Sequence, residues 1–201
     1  DMSSLFSERI LFNDDISEWD VSNVTNMRYM FGGAKLFNQP LNKWNVSNVN
    51  NMEHMFDRAL AFNQDISIWN TSNVTNMRYM FAFATSFNQP LNWDTSNVTN
   101  MEYMFSDAKS FNQHLNWDTS NVTNMKNMFA FATEFNQPLN DWNTSNVTNM
   151  ENMFAFATSF NQPLNDWIVS NETNIRNMFR EANSLINKPE WYLTRSNISN
   201  R

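Results

Sequence analysis

Apolar residues return along this chain with a rhythm that one short element would not need. From Met27 to Phe37 they stand at i, i+3, i+4, i+7 and i+10: Met27, Met30, Phe31, Ala34 and Phe37. That spacing places them on one face of a short helix. Around Trp44 and Val46 apolar and polar positions alternate, which predicts a short strand. FNQPLN lies between the two, and Pro40, Pro90, Pro138 and Pro163 mark a turn there. The same pattern then recurs. Trp19, Trp44, Trp69, Trp93, Trp117, Trp142, Trp167 and Trp191 are 25, 25, 24, 24, 25, 25 and 24 residues apart. Paired methionines keep the same period from Met27/Met30 to Met150/Met153, with Ile175/Met178 as the altered last pair. Each pair is followed by Phe, then Ala three residues on, then Phe or Leu.

No single repeat can bury its own apolar face, so the copies must stack. The expected fold is an α/β solenoid, leucine-rich-repeat-like and right-handed. It has about eight coils of 24–25 residues, each with one short helix and one short parallel strand, the strands about 4.8 Å apart. Residues 1–201 form a single unit: 1–18 a partial first coil, 19–190 seven full repeats, and 191–201 a degenerate C-terminal cap. Asp1 falls on a mid-coil slot, which reads as a fragment or processed form.

Composition changes one part of this picture. The chain has 37 Asn but 2 Gly and 5 Pro, so Asn is the residue expected to turn it. Three Asn columns follow from the register. One runs from Asn38 to Asn161, a second from Asn23 to Asn171, and the third is Asn26, Asn51, Asn76, Asn100, Asn124, Asn149 and Asn174. In a stack, an amide can donate to one neighbouring coil and accept from the other. The third column supplies helix-cap candidates, with Thr99/Glu102 and Thr148/Glu151 as capping boxes. The Asn-x-Ser/Thr matches these columns create read as accidents of the repeat.

The string WNTSNVTNMRYMFAFATSFNQPLN resembles the repeat of the BspA-like leucine-rich-repeat surface proteins, a surface lipoprotein-type repeat of unknown function. The resemblance covers essentially the whole chain. It implies a solenoid exported to a cell surface and used in adhesion, with no catalytic residues to carry over. That family commonly has Asp at the cap slot, where Asn is frequent here.

A net charge of −7 argues against nucleic acid as a partner. Zero Cys excludes disulfides and thiolate metal sites. His54 and His114 are the only histidines and occupy different slots, which leaves little material for a triad or metal site. The chain therefore reads as no enzyme, with no cofactor and no metal. Two outward columns are candidates for ligand binding. The first follows each Trp: Asp20, Asn45, Asn70, Asp94, Asp118 and Asn143. Its alternatives are a merely solvated strip or a weak calcium site where Asp94 and Asp118 are adjacent. The second is Tyr29, His54, Tyr79 and Tyr103, either an exposed aromatic row for sugar or protein contact or half-buried rings packed between repeats. Phe83, Phe131 and Phe156 read as boundary core, and the regular column Thr71, Thr95, Thr119 and Thr144 admits an ice-binding reading. Arg28, Glu53, Arg78, Glu102, Lys126, Glu151 and Arg176 alternate in sign and predict a ladder of inter-repeat salt bridges. The leading expectation is an extracellular binding or adhesion module for a protein or glycan on another surface, without insertion into a membrane. The rival is a structural spacer or subunit joined to sister subunits of an extracellular or virion assembly.

Overall fold

The computed structural model describes residues 1–198. Successive repeats lie side by side, joined in register by backbone hydrogen bonds. The expected helix is absent from every described repeat. The stretch from Met27 to Phe37 is instead a run of interlocked turns. Met30, Gly32, Ala34 and Phe37 each donate their N–H to the carbonyl three residues back, at 3.0–3.1 Å. The intervening Met27, Tyr29, Phe31 and Gly33 donate to Asn51, Glu53, Met55 and Asp57 in the next repeat, at 2.7–3.0 Å. Arg28 N–H is taken by the Asn26 side chain at 3.1 Å. Every N–H from Met27 to Ala34 thus has a partner, and none remains for an i−4 ladder.

The turns need positive φ twice per repeat. The first slot includes Tyr29 (57°), His54 (55°) and Asn127 (54°); the second includes Gly33 (76°), Phe83 (57°), Phe131 (60°) and Phe156 (61°). A helix admits no such residues. The expected strand at Trp44–Val46 is corrected as well. Parallel pairing exists, but as one isolated bridge per repeat through the third Asn column, from Asn26↔Asn51 to Asn149↔Asn174. The Asn of this column behaves as a cap without a helix: its Oδ1 accepts the N–H two residues on, as in Asn51 to Glu53 and Asn100 to Glu102. The capping boxes do not form, because Thr99 and Thr148 donate their hydroxyls to Thr75 O and Thr123 O of the preceding repeat.

The inward columns are as the pattern requires. Met27, Phe31, Ala34, Phe37 and their equivalents are buried to 0% exposure through most of the stack. The Phe31, Phe56, Phe81, Phe105, Phe129 and Phe154 rings form one ladder, 5.5–5.7 Å between centroids. A second Phe stacks on the first in every repeat up to Phe154–Phe160, at 4.1 Å for Phe105 on Phe111. Each Trp from Trp44 to Trp191 donates its indole N–H to a carbonyl of the preceding repeat; Trp93 meets Ile66 O at 3.0 Å and Trp117 meets Leu91 O at 2.9 Å. A buried indole is thereby satisfied. The 24- and 25-residue repeats differ in the link before Trp. Where the extra residue is present, Trp N–H closes a turn, as in Trp44 to Leu41 O and Trp142 to Leu139 O. Trp93 and Trp117 follow the shorter link and show no such turn.

The Asn columns divide into two kinds. Asn112 Oδ1 accepts Asn136 N–H at 2.9 Å and Gln137 Nε2 at 3.0 Å, and the column repeats this down the stack. The column containing Asn48, Asn73, Asn97, Asn121 and Asn146 works through Nδ2, which donates to a Ser carbonyl of the preceding repeat at 2.7 Å. One element closes the stack: α1, Glu190–Ile198. It begins one residue before the segment 191–201 expected to be a degenerate cap and runs into it, and residues 199–201 of that segment lie outside the described residues. Trp191 donates to Leu164 O, Tyr192 meets Phe179 edge-on at 4.9 Å, and Arg195 reaches the carbonyls of Ser170, Asn171 and Thr173. No described helix is long and apolar enough to cross a membrane.

Candidate functional site

The column after Trp is exposed at Asp20, Asn45, Asn70, Asp94, Asp118 and Asn143, but its side chains are engaged locally. Each accepts the N–H of the Ser two residues on, at 2.9–3.1 Å. In Asn70, Asp94 and Asn143 the same oxygen also takes the Ser hydroxyl. The Ser96 hydroxyl and N–H hold the Asp94 carboxyl below its ordinary value, against a small opposing effect of burial. These are Asx turns that shape the chain after Trp. Asp94→Ala and Asp118→Ala should therefore cost thermal stability as well as any contact. No group of three or more His, Asp or Glu side chains able to hold a metal ion occurs among the described residues.

The Thr column is inside. Thr71, Thr95, Thr119 and Thr144 are 1–2% exposed and donate to Asp94 O, Asp118 O, Asn143 O and Ile168 O. Val21 and Val46 fill the same slot in the first repeats and are equally buried. A buried hydroxyl column cannot meet ice, so that reading is withdrawn.

Tyr29, His54, Tyr79 and Tyr103 do come together as one ring column, with centroids 4.0, 4.3 and 4.4 Å apart and planes within 11°. His54 is buried and the tyrosines are half-buried. Burial, with the Tyr103 hydroxyl beside it, pushes the Tyr79 phenol up to about 12. His54 Nδ1 lies 2.9 Å from Asp57 Oδ2. Because the inner rings face one another, they offer edges to solvent, and a sugar stacks on faces. Arg28 and Arg78 guanidinium groups lie over Tyr29 and Tyr79 at 4.8 and 4.9 Å.

The charge ladder forms. Glu53 bridges Arg28 (3.0 Å) and Arg78 (3.3 Å), Arg78 continues to Glu102 (2.9 Å), and Glu151 bridges Lys126 (3.0 Å) and Arg176. The Glu102–Lys126 rung has no direct contact. Glu102→Lys should cost about 1 kcal/mol more than Glu134→Lys, which lies in an exposed slot outside the ladder; equal urea midpoints would contradict this. Hydrogen bonds from Arg176 and then Lys126 hold the Glu151 carboxyl below its ordinary 4.5. A depressed acid contributes stability above its unfolded value and loses it as pH falls through the folded one. Glu151→Gln should therefore flatten the decline of Tm below pH 4.5; parallel Tm–pH profiles would count against the bridge.

Sequence reading missed the second positive-φ column: Glu8, Gly33, Arg58, Phe83, Asp107, Phe131, Phe156 and Glu181. Phe83 and Phe156 are half-buried and Phe131 is 43% exposed, so these rings are not boundary core. At Gly33 a Cβ would come within 2.6 Å of the Glu8 carboxylate. A signal was present: Asn127, Asn152 and Asn177 hold the first φ-positive slot and Gly33 and Asp107 stand in the second, and these residues tolerate the left-handed region best. The Tyr and Phe columns flank an open groove lined by Tyr29, His54, Arg58, Arg78, Tyr79 and Phe83.

No curated protein and no solved structure matches the chain. The profile of one family, described as "Mycoplasma protein of unknown function, DUF285", matches twice in tandem, at residues 1–92 and 91–192. Two consecutive matches over nearly the full length agree with the repeating register of the side-chain ladders, and the chain belongs to this family of repeat proteins.

Proposed function

We propose that the chain is a repeat solenoid of the BspA-like surface type, and that it serves as a non-enzymatic binding or adhesion module at a cell surface. One observation carries this reading. The inward Trp, Met, Phe and Ala columns keep one residue type through most of the repeats, whereas the φ-positive outward column changes from Gly to Arg, Phe, Asp and Glu. A rigid stack with a varied outward column suits recognition of a protein surface. The uniform Trp and Asn ladders favour a second reading, a spacer within an extracellular or virion assembly. Solid-phase binding of the labelled chain to panels of extracellular proteins and glycans separates the two. Saturable binding, competed by unlabelled chain, supports the module. No binding across both panels sinks it and leaves the spacer.

A further inference from the structure

Resting on that reading, we propose that Phe131, Phe156 and Arg180 anchor a protein–protein contact, engaged by a polypeptide segment that carries an apolar side chain beside a single carboxylate.

Phe131 and Phe156 stand one repeat apart in the varied column, their rings 4.6 Å apart and within 5° of parallel. The Arg180 guanidinium lies 5.4 Å from the Phe156 centroid and closes the stack on that side. Both phenylalanines hold φ near 60°, a conformation that is costly for a bulky side chain and free for the glycine found at Gly33 of the same column. In the core such a cost is offset by burial. Phe131 is 43% exposed, so within this chain the offset is incomplete. Exposed aromatics kept in a strained backbone point to a contact outside the chain.

The chemistry of the partner follows from what the trio leaves free. Phe131 and Phe156 N–H donate to Ala155 O and Arg180 O at 2.8 and 2.7 Å. A strand therefore cannot add along this face through the backbone, and side chains must carry the contact. Phe156 has Phe131 on one face and the Arg180 guanidinium over the ring, so it offers no open face to a sugar, and a single face of Phe131 is too little for the extended stacking a glycan would use. The outward edges carry the positive part of the ring quadrupole, and Arg180 has no ion pair among the described residues. Arg58 differs: it lies over Phe83 at 4.9 Å, with Asp57 at 3.8 Å. Apolar edges beside an unanswered guanidinium match an apolar side chain next to a carboxylate, the composition of interface anchors. Asp107 and Glu181 bracket Phe131 and Phe156 in the same column and disfavour a partner with a run of acids.

The test is selection of short random peptides on the immobilised full chain, with F131G/F156G and R180E as counter-targets. Glycine suits the backbone at both positions, so the double variant should melt within about 3 °C of wild type or higher. The expected result is enrichment of peptides pairing an apolar residue with Asp or Glu. Their affinity should fall at least about tenfold on F131G/F156G, and R180E should select Lys or Arg in place of the acid. Peptides that bind F131G/F156G as well as wild type overturn the proposal and leave the binding module intact, with its site elsewhere. Enrichment without an acid preference overturns the assignment of Arg180. A glycan array bound by wild type and not by F131G/F156G, with no peptide enriched, overturns the protein partner. No peptide and no glycan bound overturns this proposal, and the module then stands or falls on the panel of extracellular proteins. A fall in Tm of the double variant beyond about 10 °C overturns it by showing that the rings serve packing.

Discussion

Phe105→Ala should destabilise the protein by about 3–5 kcal/mol. Phe105 is 0% exposed and lies in mid-stack. Its ring meets Phe81 at 5.7 Å, Phe129 at 5.6 Å, Phe111 at 4.1 Å and Trp117 at 6.1 Å. Truncation breaks one ring ladder, strips Phe111 and Trp117 of a neighbour, and leaves a cavity whose walls are backbone-bonded turns, which resist collapse. Each repeat contacts only its neighbours, so stability is close to a sum of repeat and interface contributions. The variant should therefore unfold in urea in two steps, as the stack loses cooperativity across the damaged interface. Phe131→Ala, by contrast, should change stability by about 1 kcal/mol or less, since an exposed ring leaves little cavity. Similar losses for the two substitutions would show that the ladders are not the core.

The second large effect concerns the Asn columns. Asn112→Leu should cost about 1–3 kcal/mol, because it leaves Asn136 N–H without an acceptor and the Gln137 amide with only the backbone carbonyl of residue 112. Asn112→Asp should be close to neutral at pH 7, since this column uses the side-chain oxygen and Asp keeps it. The same exchange at Asn97 should destabilise. There Nδ2 donates to Ser72 O at 2.7 Å, and a carboxylate would set oxygen against oxygen. Thermal melts of the two Asp variants give the comparison. An Asn97→Asp melt equal to that of Asn112→Asp would refute the division into accepting and donating columns.

This division shows where sequence reading stops. The period, the inward Trp, Met, Phe and Ala columns and the alternating charges could all be read from spacing, because each depends on which residues share a slot. The path of the backbone between slots could not. Met27, Met30, Phe31, Ala34 and Phe37 have helical spacing, yet interlocked turns with φ-positive residues at Tyr29 and Gly33 place the same five side chains inside. Tyr, His and Phe at the φ-positive slots masked the Gly, Asp and Asn that would have revealed them. The candidate columns met a similar limit. Asp94 and Asp118 are exposed, as an outward slot implies, but their bonds to Ser96 and Ser120 depend on local turns. The stacking of Tyr29 on His54 could be read from register, and its consequence, edges outward and faces covered, needed ring orientation.

The inter-repeat bonds run along the stack, from Met27 N–H to Asn51 O and from Trp44 Nε1 to Ile16 O, and this gives the molecule a mechanical character. Tension applied at the two ends loads the repeat interfaces in series, so the weakest interface alone sets the force at which the rod yields. Each repeat that peels away releases about 80 Å of slack, for roughly 25 residues of extended chain. The interfaces are unequal. The missing Glu102–Lys126 rung and the repeats at Trp93 and Trp117, which lack the turn before Trp, fall together near the middle. A pulled molecule would thus yield at its centre first, lengthening in measured steps while the flanking repeats stay folded.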